Sequence, residues 1–140
     1  MPDVARGDSV LIDNYAGENP TALCNFGIGL AFLIGTNKGH VYFWGTTAPL
    51  IAIDGEIVTA LTATDLAVYI GTNKGMIYEY TFGEWDDDAE EYGPGTLTVL
   101  ANMGREILSL FIWGYDDSFA PFLLAGIEGG SVFLVAIEAF

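Results

Sequence analysis

The sequence predicts a single all-β domain made of three copies of a four-stranded unit. Three observations carry this reading. The first is a nine-residue stretch that returns along the chain. Ile34-Gly35-Thr36-Asn37-Lys38-Gly39-His40-Val41-Tyr42 recurs 36 residues on as Ile70-Gly71-Thr72-Asn73-Lys74-Gly75-Met76-Ile77-Tyr78. A weaker copy, Ala125-Gly126-Ile127-Glu128-Gly129-Gly130-Ser131-Val132-Phe133, follows 55 residues later. The second observation is the flank of each copy: Thr21-Ala22-Leu23, Thr59-Ala60-Leu61 and Leu108-Ser109-Leu110 each end six residues after a glycine, namely Gly17, Gly55 and Gly104. The third is texture. Short runs of Val, Ile, Leu, Tyr and Thr alternate with Gly, Asn and Asp, as strands and tight turns require, and no segment carries a helical period.

Each element of the unit can be justified in turn. In the second copy the strands are expected at Ile57 to Ala63, Leu66 to Gly71, Met76 to Thr81 and Thr96 to Ala101. Thr-Asn-Lys-Gly suits a short hairpin loop whose last glycine takes a positive φ, which only glycine adopts without strain. Continuous apolar stretches such as Leu30 to Ile34 imply burial on both faces, as when sheets stack. The 19 extra residues between the second and third copies fall in two places, 13 after Gly75 and six after Leu110, so they map to loops. The repeats run over about 18–54, 55–103 and 104–140. The last has only one strand after Gly130, Ser131 to Ile137, before the chain ends at Phe140. Ser9-Val10-Leu11-Ile12 stands shortly before Gly17, as Leu50-Ile51-Ala52 stands shortly before Gly55, so 9–16 reads as the missing fourth strand.

Gly-Thr-Asn-Lys-Gly-x-Val/Ile-Tyr resembles the hairpin between the second and third strands of β-propeller blades of the WD-repeat and quinoprotein-like kind. The resemblance covers nearly the whole chain and implies a propeller with three four-stranded blades, the last closed by the N-terminal strand. The Trp-Asp signature of WD repeats is absent from its place. Gly39-His40 falls elsewhere than that family's Gly-His, and Trp85-Asp86 lies in an insertion. Propellers close with about 4 to 8 blades, and open apolar flanks are poorly tolerated on a monomer. The expected partner is therefore a second copy, giving a homodimer that forms a six-bladed ring, with each N-terminal strand completing the partner's last blade. The alternative fold is a β-trefoil, which also has three four-stranded repeats and closes as a monomer.

Composition bounds the function. The chain has 140 residues, 19 acidic and 4 basic, for a net charge of −15. It is 51% hydrophobic and only 16% charged, with a mean hydropathy of +0.40, which predicts folding rather than disorder. Arg6, Lys38, Lys74 and Arg105 are too few to grip phosphates, so nucleic acid is not an expected partner. No apolar run approaches the roughly 20 residues of a membrane helix. The N-terminus, Met1-Pro2-Asp3-Val4-Ala5-Arg6-Gly7-Asp8, lacks a signal-peptide core, so the expected location is the cytoplasm or a virus particle. The acid excess also fits a salt-rich habitat.

No catalytic residue, metal ligand or cofactor is expected. Cys24 is the one cysteine and sits in an apolar segment, as a small buried hydrophobe would. His40 is the one histidine, so histidine chemistry would rest on it alone. The Gly-Thr-Asn-Lys-Gly turns lack the spacing and the helix of a phosphate loop. A paired-carboxylate hydrolase would need acids brought together across repeats. In a lectin with one site per blade, ligands should repeat, but the positions five after the turn glycine are Trp44, Tyr80 and Val135. The candidate contact residues lie in the insertions: Trp85, Asp86, Asp87, Asp88 and Tyr92 in the larger, Tyr115, Asp116, Asp117 and Phe119 in the smaller. The blade order is expected to put the two insertions at opposite ends of the sheets. The run Asp86-Asp87-Asp88-Ala89-Glu90-Glu91 fits no EF-hand order. The expected function is a non-enzymatic structural or adaptor subunit of a larger assembly, a virus particle being one example, with a carbohydrate-binding lectin as the alternative.

Overall fold

The computed structural model describes residues 5–26, 31–64, 66–113 and 122–137. The protein is all-β across these residues. Its strands are β1 (Pro20–Phe26), β2 (Ala31–Thr36), β3 (His40–Phe43), β4 (Ile51–Ala52), β5 (Val58–Ala63), β6 (Ala67–Thr72), β7 (Met76–Thr81), β8 (Trp85–Asp86), β9 (Glu91–Tyr92), β10 (Thr96–Asn102), β11 (Ile107–Trp113), β12 (Phe122–Ile127) and β13 (Ser131–Ala136). They form four antiparallel sheets. Sheet I runs β1-β2-β3-β4, sheet II runs β5-β6-β7-β10, sheet III runs β11-β12-β13, and β8-β9 is a small separate hairpin.

Sheets I, II and III share features strand by strand. In sheet II every strand lies within one residue of its expected bounds. The turn glycines Gly39 and Gly75 have φ of 77° and 82°, so a side chain at either would be strained. The first strand of each sheet slips register at the same point, skipping Thr21, Thr59 or Leu108. A hydroxyl at this bulge reaches across the pair: Thr21 Oγ1 donates to Gly35 O and Thr59 Oγ1 to Gly71 O, both at 3.2 Å. Leu108 has no hydroxyl to offer and stays exposed.

The sheets pack face to face in chain order, and β5 touches both β1 and β11. Between sheets I and II lie Leu33, Val41, Ile51, Ile53, Val58, Leu61, Val68, Ile70 and Tyr80. Between sheets II and III lie Ala60, Tyr69, Ile77, Ile107, Leu123, Ala125 and Ile127. Sheet II is thus covered on both faces, and β6 is buried along its whole length, which is why its sequence is apolar without alternation. Glycine sets how closely the sheets approach. A Cβ on Gly35 would stand 2.4 Å from Val58 Cγ1, and one on Gly71 would stand 2.5 Å from Ile107 Cγ2.

Within the single chain Ser9–Ile12 belongs to no strand, and among the described residues sheet III keeps three strands with the outer edge of β13 unpaired. The N-terminal segment instead lies over the outer face of sheet I. There Tyr15 stacks on Tyr42 with ring centroids 4.3 Å apart, and the Trp44 indole N–H donates to Ile12 O at 3.4 Å. One expectation is revised: the insertions do not leave opposite ends of the sheets. In sheet II, Ala63 pairs near Val68 and Ala67 pairs with Thr81, so the β5–β6 and β7–β10 connections share one end. The β11–β12 connection is the counterpart of the first of these, since antiparallel meanders return every second connection to the same end. Among the described residues no sheet closes into the barrel that a trefoil requires.

Candidate functional site

The larger insertion folds into the β8–β9 hairpin. Trp85 pairs with Tyr92 and Asp86 with Glu91. Asp86 shapes the turn, accepting the N–H of Asp88 at 2.9 Å and of Ala89 at 3.3 Å through Oδ1. Glu90 takes φ of 53°, a left-handed conformation rare for a residue with a side chain. Two glycines let the hairpin stem close: a Cβ on Gly83 would meet Pro94 O at 2.5 Å, and one on Gly95 would meet the Tyr80 ring at 2.3 Å.

Aromatic rings tie the hairpin to the core. Trp85 meets Tyr92 edge to face at 5.0 Å, Tyr92 meets Phe82 at 4.9 Å, and Phe82 contacts Tyr80, Phe26 and Phe43. The outer end of this chain of rings is open to solvent, with Trp85 51% and Tyr92 41% exposed. Asp86, Asp87 and Asp88 are exposed beside them. Among the described residues no group of three or more His, Cys, Asp or Glu is gathered as a metal would need. The other four expected contact residues, Tyr115, Asp116, Asp117 and Phe119, lie outside the described residues.

The structure also shows a polar cluster that the sequence reading did not single out. Glu18, in the loop before β1, is a hub. Its Oε1 accepts Thr36 Oγ1 at 2.8 Å and lies 2.8 Å from His40 Nδ1, and its Oε2 accepts the Tyr42 hydroxyl. The arrangement recurs one repeat later. Glu56 accepts Thr72 Oγ1 at 2.7 Å and the Tyr78 hydroxyl, while Met76 stands where His40 does. The two sites therefore share a carboxylate that pins the loop entering the first strand to the second and third strands. Burial alone would raise the Glu18 carboxyl, but the bonds from Tyr42, Thr36 and His40 hold it below its ordinary 4.5. In return the Glu18 bond, with burial, pushes Tyr42 up to about 12. Burial and Glu56 do the same for Tyr78. In the third repeat the positions read Arg105, Ile127 and Phe133, and the tie is lost.

Four singled-out residues fall into plain packing roles. Cys24 is half-buried against the core between sheets I and II, and burial pushes its thiol up to about 12, far from a reactive thiolate. Trp44 stacks on Phe32 at 5.4 Å. Tyr80 is buried, and Val135 packs against the core between sheets II and III.

These features define an all-β chain of stacked antiparallel meanders with an exposed aromatic hairpin. No protein-family model matches the chain, and no curated protein matches it. Among solved structures, the computationally designed Ika4 protein is similar, with a TM-score of 0.48 and 20% identity over 77% of this chain and 61% of that one. The chain thus spans about three fifths of the designed protein. No helix among the described residues is long and apolar enough to cross a membrane.

Proposed function

We propose that this chain is a non-enzymatic structural or adaptor subunit, a β-propeller of three blades per chain that works by assembling with other protein, its own copies first. The observation that supports this is the outer side of sheet III. Phe111 is 62% exposed and Trp113 55% on β11, and Val132 is 72% exposed and Leu134 54% on β13, whose outer edge is unpaired among the described residues. An apolar sheet face next to an open edge is a liability for a monomer and a ready interface for a partner. The test is absolute mass in solution by light scattering behind a sizing column. A mass of about 30 kDa, twice the 15.0 kDa of the chain, is expected. A monomer at every concentration overturns the proposal.

A second reading, a carbohydrate-binding lectin, is favoured by one feature: the exposed Trp85–Tyr92 pair with carboxylates on either side. An aromatic face flanked by acceptors is what a sugar ring stacks on and hydrogen-bonds to. Quenching of tryptophan fluorescence by a sugar, abolished by Trp85→Ala, would support it. A blank glycan array would remove it.

A further inference from the structure

The sheets of this chain are joined twice in the same way, and a third joint stands half-built at each end. In the first joint, Gly35 on β2 receives Val58, three residues after Gly55. The turn glycine Gly39 backs onto the following loop, where a Cβ would stand 2.1 Å from Ile53 O and 2.8 Å from Glu56 O. Gly39 O also accepts the Ile53 N–H at 2.8 Å. In the second joint, Gly71 receives Ile107, three residues after Gly104. Gly75 backs onto Arg105, a Cβ there standing 2.5 Å from Arg105 N, and Gly75 O accepts the Met103 N–H at 2.8 Å.

Sheet III repeats the donor half of this joint with Gly126 and Gly130, four residues apart as in the other two. Nothing fills it. A Cβ on Gly130 would meet no atom within 4 Å, and the atoms nearest one on Gly126 belong to Ser109 of the same sheet.

The acceptor half stands at the other end of the stack. Pro20 opens β1 three residues after Gly17, the place of Val58 and Ile107, and Glu18 holds the place of Glu56. Ser9–Tyr15 precede Gly17 by the same eight to two residues that separate Thr96–Asn102 from Gly104. The segment is also placed as a preceding sheet's last strand would be. Tyr15, two residues before Gly17, covers Tyr42, while Ile53, two before Gly55, shares a core with Tyr78. Sheet II separates the two halves within one chain, and the N-terminal segment is held on sheet I.

We infer that a second copy of this chain completes the joint, head to tail. The inference rests on the assembly reading above and names its surfaces. Ser9–Tyr15 of one copy becomes the fourth strand of the other's sheet III, with Pro20 against Gly126 and the Glu18 backbone under Gly130. The series of internal joints then continues unbroken across the subunit boundary, and two such contacts close by twofold symmetry into six sheets. The register follows from that of β10 on β7, where Thr98 pairs with Glu79 and Val99 with Tyr78. It sets Leu11 opposite Leu134 and Ile12 opposite Phe133. Both leucine side chains are exposed in the single chain.

The experiment uses two full-length chains, both with Cys24→Ser, one carrying Leu11→Cys and the other Leu134→Cys. Opposed Cα atoms in an antiparallel pair lie about 4.5–5.5 Å apart, within disulfide reach. After mixing through a denatured state, refolding and mild oxidation, a covalent dimer is expected from the mixture and not from either chain alone. A mass near 30 kDa without this cross-link overturns the joint and leaves the assembly reading standing. A monomer overturns both. As an independent check, Leu134→Lys should convert the dimer to a β-structured monomer at concentrations where Leu66→Lys, on the exposed β5–β6 loop, leaves the mass unchanged. An unchanged mass for Leu134→Lys counts against the joint.

Discussion

At the scale of single residues, the Glu–Thr–Tyr ties make the chain's stability depend on pH at both extremes. Tyr42 and Tyr78 are raised from 10.0 to about 12, as is Tyr15 through burial and its bond to Asp13. The folded chain keeps these protons at a pH where the unfolded chain gives them up. Their stabilisation is whole below pH 10 and drains away as pH rises towards 12. Glu18 runs the other way. Its lowered carboxyl contributes above 4.5 and loses that contribution as pH falls below it. Urea midpoints measured across pH should therefore form a plateau with losses on both sides, and Tyr15, Tyr42 and Tyr78 should ionise towards pH 12 in the phenolate absorbance. Removing a hub tests the tie directly. Glu56→Ala leaves the Thr72 and Tyr78 hydroxyls without their charged acceptor and should cost about 1–3 kcal/mol in chemical denaturation. A cost near zero would show that water replaces the carboxylate freely.

Among the elements, the close approach of sheets is the feature with the sharpest consequence. Gly35→Ala would drive a methyl into Val58 and Gly71→Ala one into Ile107, so each should destabilise by about 1–3 kcal/mol. Val58→Ala removes Cγ1 and leaves the Val58 Cβ at 3.0 Å. The added cost of Gly35→Ala should then largely vanish in the Val58→Ala background, a coupling that a double-mutant cycle reads from four denaturation curves. Strictly additive losses would mean that Gly35 is needed for another reason. The strands were legible because turn chemistry and β-branched runs are local signals, repeated at 36 residues and broken only by insertions. The β8–β9 hairpin was not legible, since Trp85-Asp86 and Glu91-Tyr92 are too short and too polar to stand out from a solvated loop. The Glu18 and Glu56 ties were present in the repeat as Gly-Glu, Thr and Tyr. They escaped notice because each spans three segments and the third copy has lost it. The placement of Ser9–Ile12 could not be read from sequence, because a lone strand shows what it can pair with and not where it rests when unpaired. Of the candidate site, Trp85 and Tyr92 were singled out from the larger insertion, but not the run of rings that anchors them to Phe82.

For the whole molecule, charge and apolar surface pull against each other. Each chain carries −15, so two copies repel as they approach, while the joint that would hold them is lined by Val10, Leu11, Ile12, Val132, Phe133 and Leu134. Salt does not weaken an apolar contact, and it shortens the reach of the repulsion from a Debye length of about 30 Å at 0.01 M to about 10 Å at 0.1 M. Association should therefore tighten with salt. Between those two concentrations the dissociation constant should fall by at least about tenfold, or 1.4 kcal/mol, a change that analytical ultracentrifugation resolves. The sign separates the possible glues. With Arg6, Lys38, Lys74 and Arg105 as its only full cations, the chain has few ion pairs to offer, and salt would loosen an interface that depended on them. Association that weakens as salt rises would place the contact on those four side chains and away from the sheet faces. Association that strengthens, together with a urea midpoint that climbs into molar salt, would also fit the acidic surface of a chain made for a salt-rich setting. A midpoint indifferent to molar salt would remove that reading while leaving the apolar joint intact.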